Sequence, residues 1–422
     1  MYGKGKTVIE KILSAHAGED VYEGRIAWID LDLISARDFG GANVVKNFEE
    51  AFGDGPIADT SRTIFTFDCN VPANTIGYAD NQHRCRLFAR KHGLKVFDVD
   101  AGIGSHVIIE EGLALPGTTV IGTDSHLNLL GAVGCLGQGM GDIDVAYAFR
   151  HGRTWFEVPP SVRIELEGKV PPNTGAKDLA LFLVGKLGAS GLLGMSAEIS
   201  GPAVDALGLA GRITLASMGT EMGAISIFLK PNELVLADLK NEYGVLVPPQ
   251  NLSLLEPDFE AEYAAHHVFD ISGLAPQVAC PPNPEAVRPV AEVQVEKIQV
   301  DSIVVGSCTG GRAEDIREFA AILREHGLVK GVMAKVVPAT RRVYLDLMKD
   351  GTLAALADAG VVIINQGCAG CAAGQVGMTG AGEVQVTTGN RNFAGKQGKG
   401  DTYLASARTA GFCAVRGFIS AE

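Results

Sequence analysis

Apolar and polar positions along the chain follow two periods, and the places where one gives way to the other mark the elements. Val8, Ile9, Ile12 and Leu13 fall on one helical face and predict a short packed helix near the start. Apolar runs at 63–67, 96–99 and 119–122 read as strands, and 81–92, stopped by Gly93, reads as a helix leading into the strand KVF. After Pro159 and Pro160, the alternation of Val162, Ile164 and Leu166 predicts a strand, and 176–187 a helix that runs into a glycine-rich turn. Residues 248–290 hold PPQ, EPD and CPPNPE and few periodic apolar positions, so they read as a connector or surface excursion. VQVEKIQV from Val293 and then SIVVGS resume strand patterning, 314–326 is helical, and VKGVMAKVV and AGVVII add strands around a helix within 341–358. Strands alternating with helices predict an α/β fold of three-layer αβα units, divided at 1–157, 158–290 and 291–422.

Composition narrows the class. The chain has 422 residues, ample for several domains, and 53 glycines without a three-residue period, which fits a loop-rich folded enzyme. Lys and Arg total 36 against 49 Asp and Glu, a net charge of −13, and no basic tract offsets it. Nucleic acid is therefore not expected as a partner, whereas an anionic small molecule answers to a local pocket rather than to the average charge. No apolar stretch reaches the about 18 residues of a membrane span, and Lys186 interrupts the strongest candidate. MYGKGKTVIEKIL lacks a signal-peptide core, so a cytoplasmic chain is expected. The 8 cysteines are too dilute for a disulfide scaffold.

The candidate chemistry sits where predicted strands yield to glycine-rich loops. Cys308 lies in GSCTGG after Ile303 to Val305, and Cys368 and Cys371 lie in GCAGC after Val361 to Ile364. Three converging thiolates form a soft site for an iron–sulfur cluster or zinc, and a three-cysteine cluster leaves one iron open to act as a Lewis acid. The same spacing also fits a redox pair, half of a zinc site or buried structural cysteines. Arg391, Lys396 and Lys399 lie among glycines and asparagines, where Arg can grip a carboxylate in two-point fashion and Lys supplies a point charge; a solvated basic loop is the plain alternative. Asp68 precedes Cys69, Ser105 precedes His106, and Asp124-Ser125-His126 follows the strand TTVIG, so Asp124 and His126 make a candidate acid/base unit or a buried hydrogen-bonded pair. Glu221 in MGTEMGA is a carboxylate in a small-residue loop.

Taken together, KTVIEKILSAHAG, PGTTVIGTDSH, GSCTGGR, GCAGC and NRNFAGK followed by TYLAS resemble, over nearly the whole chain, the large subunits of the aconitase superfamily, especially those of isopropylmalate isomerase and homoaconitase type. The resemblance implies a [4Fe-4S] cluster on Cys308, Cys368 and Cys371, with Asp124 and His126 lining the cleft, Glu221 near an iron-bound hydroxyl and Arg391 on a substrate carboxylate. It further implies a three-domain large subunit without the swivel domain, paired with a separate small swivel-domain subunit and acting on a small di- or tricarboxylate. Three positions depart from the family pattern: Asp68-Cys69 stands where Asp-His is usual; Ser105-His106 stands where His-Gln is usual, and because strand neighbours point to opposite faces the displaced His106 is not taken to replace the usual histidine; and Lys396 replaces a second arginine. These departures favour a hydro-lyase for a small branched or substituted malate-like diacid, such as a dimethylmalate dehydratase, with isopropylmalate isomerase as the main alternative and homoaconitase as a further one. A noncatalytic diacid-binding paralogue is the other class. Asp68, His106, Asp124, His126 and Glu221 are the expected catalytic set, and Arg391 with Lys396 the expected substrate grip.

Overall fold

Four short strands, Leu33–Arg37, Thr63–Thr66, Thr119–Gly122 and Ser302–Val305, are buried at every position, the mark of parallel strands covered on both faces. The computed structural model describes residues 5–370 and 374–422, so Cys371 lies outside the described residues. The first three of these strands belong to a five-stranded parallel sheet in the order Lys95–Phe97, Thr63–Thr66, Leu33–Arg37, Thr119–Gly122, Leu136–Gly139. A four-stranded parallel sheet follows, in the order Ser226–Phe228, Ser196–Ser200, Ser161–Glu167, Ala265–Asp270. The third sheet has seven strands, in the order Val287–Pro289, Gln277–Ala279, Asp401–Ala405, Val384–Thr387, Ser302–Val305, Met333–Val336, Val362–Ile363, and is parallel except at its first two pairings. The protein is an α/β chain of parallel sheets.

Winding order decides where a ligand can sit. In the first sheet the chain starts at Leu33–Arg37, moves outward through Thr63–Thr66 and Lys95–Phe97, then returns to the other side at Thr119–Gly122. In the parallel part of the third it starts at Ser302–Val305, moves outward through Met333–Val336 and Val362–Ile363, and returns to the other side at Val384–Thr387. Each reversal opens a crevice beyond the carboxyl ends of the two strands beside it.

Local sequence explains the helices and two departures from expectation. Thr7 opens helix Val8–Ala17, with Glu10 accepting from its backbone N–H at 2.8 Å, and Gly93 closes helix Ile76–His92 in the left-handed region at φ 70°. The expected strand from Val293 is instead the short helix Val290–Gln294: Val290 and Val293 share its buried face, and Val295, which alternation would have buried, is 76% exposed. The expected connector 248–290 contains three strands. Ala265–Asp270 is an edge strand paired with Ser161–Glu167, and Gln277–Ala279 and Val287–Pro289 extend the third sheet. An edge strand is held by backbone pairing and needs no apolar run to announce it.

The sheets are joined by close packing. A Cβ at Gly131 would lie 1.5 Å from the Ile227 carbonyl oxygen, so only glycine lets the 3-10 turn Leu127–Val133 meet the edge of the second sheet. One apolar core runs from Leu33 of the first sheet through Leu179 to Leu404 of the third. No helix among the described residues is long and apolar enough to cross a membrane.

Candidate active site

Both crevices are lined by residues that follow the strands. In the first, Arg37 ends Leu33–Arg37; its Nε and one terminal nitrogen donate to Asp68 Oδ1 at 3.0 and 2.7 Å, and the other terminal nitrogen donates to Asp124 Oδ1 at 2.8 Å. Asp124 Oδ1 also accepts the backbone N–H of His126 at 3.0 Å, and Asp68 Oδ2 accepts that of Gly104 at 2.8 Å. The second sheet supplies Glu221. It sits in the 3-10 turn Met218–Met222 at the end of helix Leu209–Ser217, which packs on the turn that His126 opens. His126 Nε2 therefore reaches Glu221 Oε1 at 3.2 Å. From the third sheet, Arg391 Nε donates to the same oxygen at 2.8 Å, and its terminal nitrogen to Ser125 Oγ at 3.3 Å. Arg37, Asp124, His126, Glu221 and Arg391 thus form one continuous chain across the three larger sheets.

Electrostatics sorts the carboxylates. Burial alone would lift the Glu221 carboxyl; His126, then Arg391, outweigh it and hold Glu221 below its ordinary range. Asp124 behaves likewise, with Arg37 and then His126 overcoming burial. Asp68 goes the other way: burial, reinforced by Asp38 and Asp124 and opposed by Arg37, pushes it up to about 6.

Cys308 and Cys368 are both buried beside this chain. The backbone N–H of Cys368 donates to the Asp68 carbonyl at 2.8 Å, and Cys308 faces Cys368, Asp124, Arg37 and Asp68. Burial first, then Cys368, pushes the Cys308 thiol well above its ordinary range. His106 lies on helix Gly104–Glu110, not on a strand, so the opposite-face relation of strand neighbours does not apply to Ser105 and His106. It is fully buried with the Cys308 backbone beside it, and neither ring nitrogen has a partner with hydrogen-bond geometry among the described residues. Burial and Arg312 push His106 down to about 3, so it is a neutral imidazole at physiological pH.

The family model described as "Aconitase family (aconitate hydratase)" matches residues 10–417. The chain is 37% identical over 418 residues to the probable 3-isopropylmalate dehydratase large subunit of Methanothermobacter thermautotrophicus, covering 98% of each. It is 38% identical to the 3-isopropylmalate dehydratase large subunit 1 of Methanopyrus kandleri, over 99% of this chain and 98% of that one. The probable methanogen homoaconitase large subunit of Methanothermobacter thermautotrophicus is 36% identical, over 98% of this chain and 96% of that one. The chain belongs to the aconitase family. It is an aconitase-family hydro-lyase of the large-subunit type. Holo aconitase X from Thermococcus kodakaraensis shares the fold, with TM-score 0.53 and 14% identity over 100% of this chain and 93% of that one.

Within this aconitase-family frame, the described cysteines fit an iron–sulfur group. Cys308 and Cys368 are soft donors, and a cationic centre is what stabilises neighbouring buried thiols as thiolates. Their loops pack tightly on the loops beside them: a Cβ at Gly310 would lie 2.2 Å from Thr388 Oγ1, and one at Gly370 would lie 3.0 Å from the Gln397 side chain. Cys69 is a separate matter. Its Sγ donates to Asp68 Oδ1 at 3.3 Å, and ligand atoms of Asp38, Asp68 and Cys69 all lie within 4.8 Å of one another. Protein donors already use that corner: Asp38 takes the backbone N–H groups of Asp68 and Cys69 and the Gln82 amide, and Arg37 takes Asp68. Lys396 is half-buried in the turn after Phe393 and makes no side-chain hydrogen bond or ion pair among the described residues.

Sequence reasoning missed Arg37, Arg312 and Lys177. Arg37 carried a signal, a charge directly after the run Leu33 to Ala36, in which only Ser35 is polar. Arg312 follows Cys308 closely and pairs with Glu110 at 2.6 Å, tying the Cys308 loop to the helix that bears His106.

Proposed function

We propose that this chain is the large subunit of a two-subunit enzyme that reversibly dehydrates or isomerises a small substituted malate-like dicarboxylate, using a [4Fe-4S] cluster on Cys308, Cys368 and Cys371. The carrying observation is that one hydrogen-bonded chain runs from Asp68 and Arg37 through Asp124, His126 and Glu221 to Arg391, and that the buried thiols of Cys308 and Cys368 lie against its Asp68–Arg37–Asp124 end. The family and its large-subunit relatives support the cluster, the separate small swivel-domain subunit and a carboxylate substrate.

When bound, such a cluster supplies Lewis acidity toward the substrate hydroxyl through its iron lacking a protein thiolate. The protein does the rest. Arg391 is the cation that binds a substrate carboxylate. Glu221 keeps Oε2 clear while Oε1 accepts from Arg391 and meets His126, so Oε2 is the atom that exchanges a proton with the departing or returning hydroxyl. Asp68, raised to about 6, holds a proton close to neutrality, and Arg37 fixes Asp68 and Asp124 in place. His106, buried, sits beside Asp124 and the Cys308 backbone. Lys396 adds a point charge at the rim.

The test is anaerobic co-purification with a small-chain candidate, reconstitution with iron and sulfide, and a substrate panel headed by isopropylmalate and dimethylmalate. Iron-dependent hydration of one diacid, abolished in Cys308→Ser together with iron binding, is the expected result. Tightly bound zinc with no iron-dependent turnover, or diacid binding without turnover in the complete complex, defeats the proposal.

A further inference from the structure

Lys177 breaks a local rule. It stands in the first turn of helix Ala176–Leu187, where the helix dipole disfavours a cation, and it is 5% exposed, although lysine is rarely buried. A residue that violates both preferences is retained for what it touches.

Its partners come from the three segments that carry the site. Nζ donates to Thr309 Oγ1 at 3.1 Å, next to Cys308, and to the Gly389 carbonyl at 2.7 Å, two residues before Arg391. It also lies 3.5 Å from Met218 Sδ, at the start of the turn that bears Glu221. The same segments are stitched again around it. Thr309 Oγ1 donates to the Thr388 carbonyl at 2.6 Å, Ser307 Oγ donates to Asn390 Oδ1 at 2.7 Å, and Asn390 Nδ2 donates to Ser217 Oγ at 2.9 Å. Ser307 has φ 73°, a left-handed backbone that a non-glycine residue keeps only when its surroundings hold it there. The chain turns sharply into Cys308 at that point, so the hydrogen bonds around Lys177 hold a strained turn at the thiol.

We infer that Lys177 is a positioning residue that locks the Cys308 loop and the Arg391 loop to each other, and both to the Glu221 turn. It touches neither substrate nor cluster; it sets the aim of the thiol and of the guanidinium together. The inference rests on the reading of Cys308 and Arg391 given above, and its test has an arm that does not depend on that reading.

Lys177→Met, Lys177→Arg and Thr309→Val are made in the full chain. In the metal-free chain, alkylation of Cys308 by iodoacetamide is timed by peptide mass spectrometry. Lys177→Met is expected to speed it about tenfold or more, the weight of one hydrogen bond to a charged donor, and Lys177→Arg to restore much of the protection. In the reconstituted two-subunit complex, Lys177→Met is expected to release iron to a chelator faster and to raise KM more than it lowers kcat. Thr309→Val cuts the link to the Cys308 loop but leaves that to Gly389, so it should speed alkylation and iron release with KM nearly unchanged. If Lys177→Met fails to fold, Thr309→Val and Lys177→Arg still decide the matter. Wild-type alkylation and iron-release rates in a folded Lys177→Met, or in Thr309→Val, overturn the inference. A wild-type complex that takes up no cluster overturns the proposed function instead, and the alkylation arm still judges Lys177.

Discussion

Glu221 and Arg391 meet through a single carboxylate oxygen: Arg391 Nε donates to Oε1 at 2.8 Å across 170 positions of sequence, and Oε2 has no partner among the described residues. A buried carboxylate oxygen without a donor costs stability, so its survival points to a group that arrives with the substrate. Glu221→Gln keeps the shape and removes the proton acceptor. It is expected to lower kcat by about 10²–10⁴ with iron content intact, the usual weight of one acid/base group. Steady-state rates on the reconstituted complex check this, and a loss below tenfold removes Glu221 from proton transfer.

Arg391 uses a planar fork, with Nε on Glu221 and a terminal nitrogen on Ser125. Lysine keeps the charge and loses the second point of attachment. Arg391→Lys is expected to raise KM about tenfold or more, the loss of one charge-assisted hydrogen bond, with a smaller change in kcat. Equal KM values for the two proteins would show that the substrate carboxylate is bound elsewhere.

Arg37 neutralises two buried carboxylates at once. Arg37→Met leaves Asp68 and Asp124 uncompensated, and the expected loss of stability is about 3–5 kcal/mol, the cost of breaking a buried ion pair from one side. Urea denaturation of the metal-free chain measures it directly. An unchanged midpoint would mean that the two carboxylates find other donors.

His16 and Asp32 join the first helix to the first sheet, with Nε2 and Oδ2 2.8 Å apart. Burial works against both charges, yet the pairing raises His16 above 6.5 and lowers Asp32 below 3.8. A raised histidine stabilises fully below its unfolded value and loses this as pH rises through the folded one; a lowered aspartate stabilises fully above its unfolded value and loses this as pH falls through the folded one. The Tm gap between wild type and His16→Gln is therefore expected to be widest between pH 3.8 and 6.5 and to narrow toward both extremes. A gap that grows with alkaline pH contradicts the pairing.

Much of the fold was legible because buried parallel strands and capped helices write themselves locally. The strand Thr119–Gly122 and helix Ala176–Leu187 emerge with the bounds that periodicity predicts. Ala265–Asp270 was not legible, since an edge strand draws on a neighbour's backbone rather than on its own side chains. The site divides the same way. Glycine-flanked cysteines and the Asp-Ser-His triplet advertise themselves as motifs. Lys177 is a buried cation in the first turn of a largely apolar helix, and its meaning appears only when loops far apart in sequence supply its partners; Arg37 ends a buried strand, and its partners are aspartates that follow the neighbouring strands of the same sheet. His106 shows the converse: the residue was found, but the strand logic applied to it was wrong because its segment is helical.

The loop bearing Cys308 is moored on one side by Arg312 to Glu110, on the helix beside the first sheet, and on the other by Lys177, on a helix from the second. Loosening any one of the three sheets slackens a mooring of the thiol. Metal retention should then report on the integrity of the entire subunit, and heat or denaturant should strip iron in step with global unfolding rather than by local fraying.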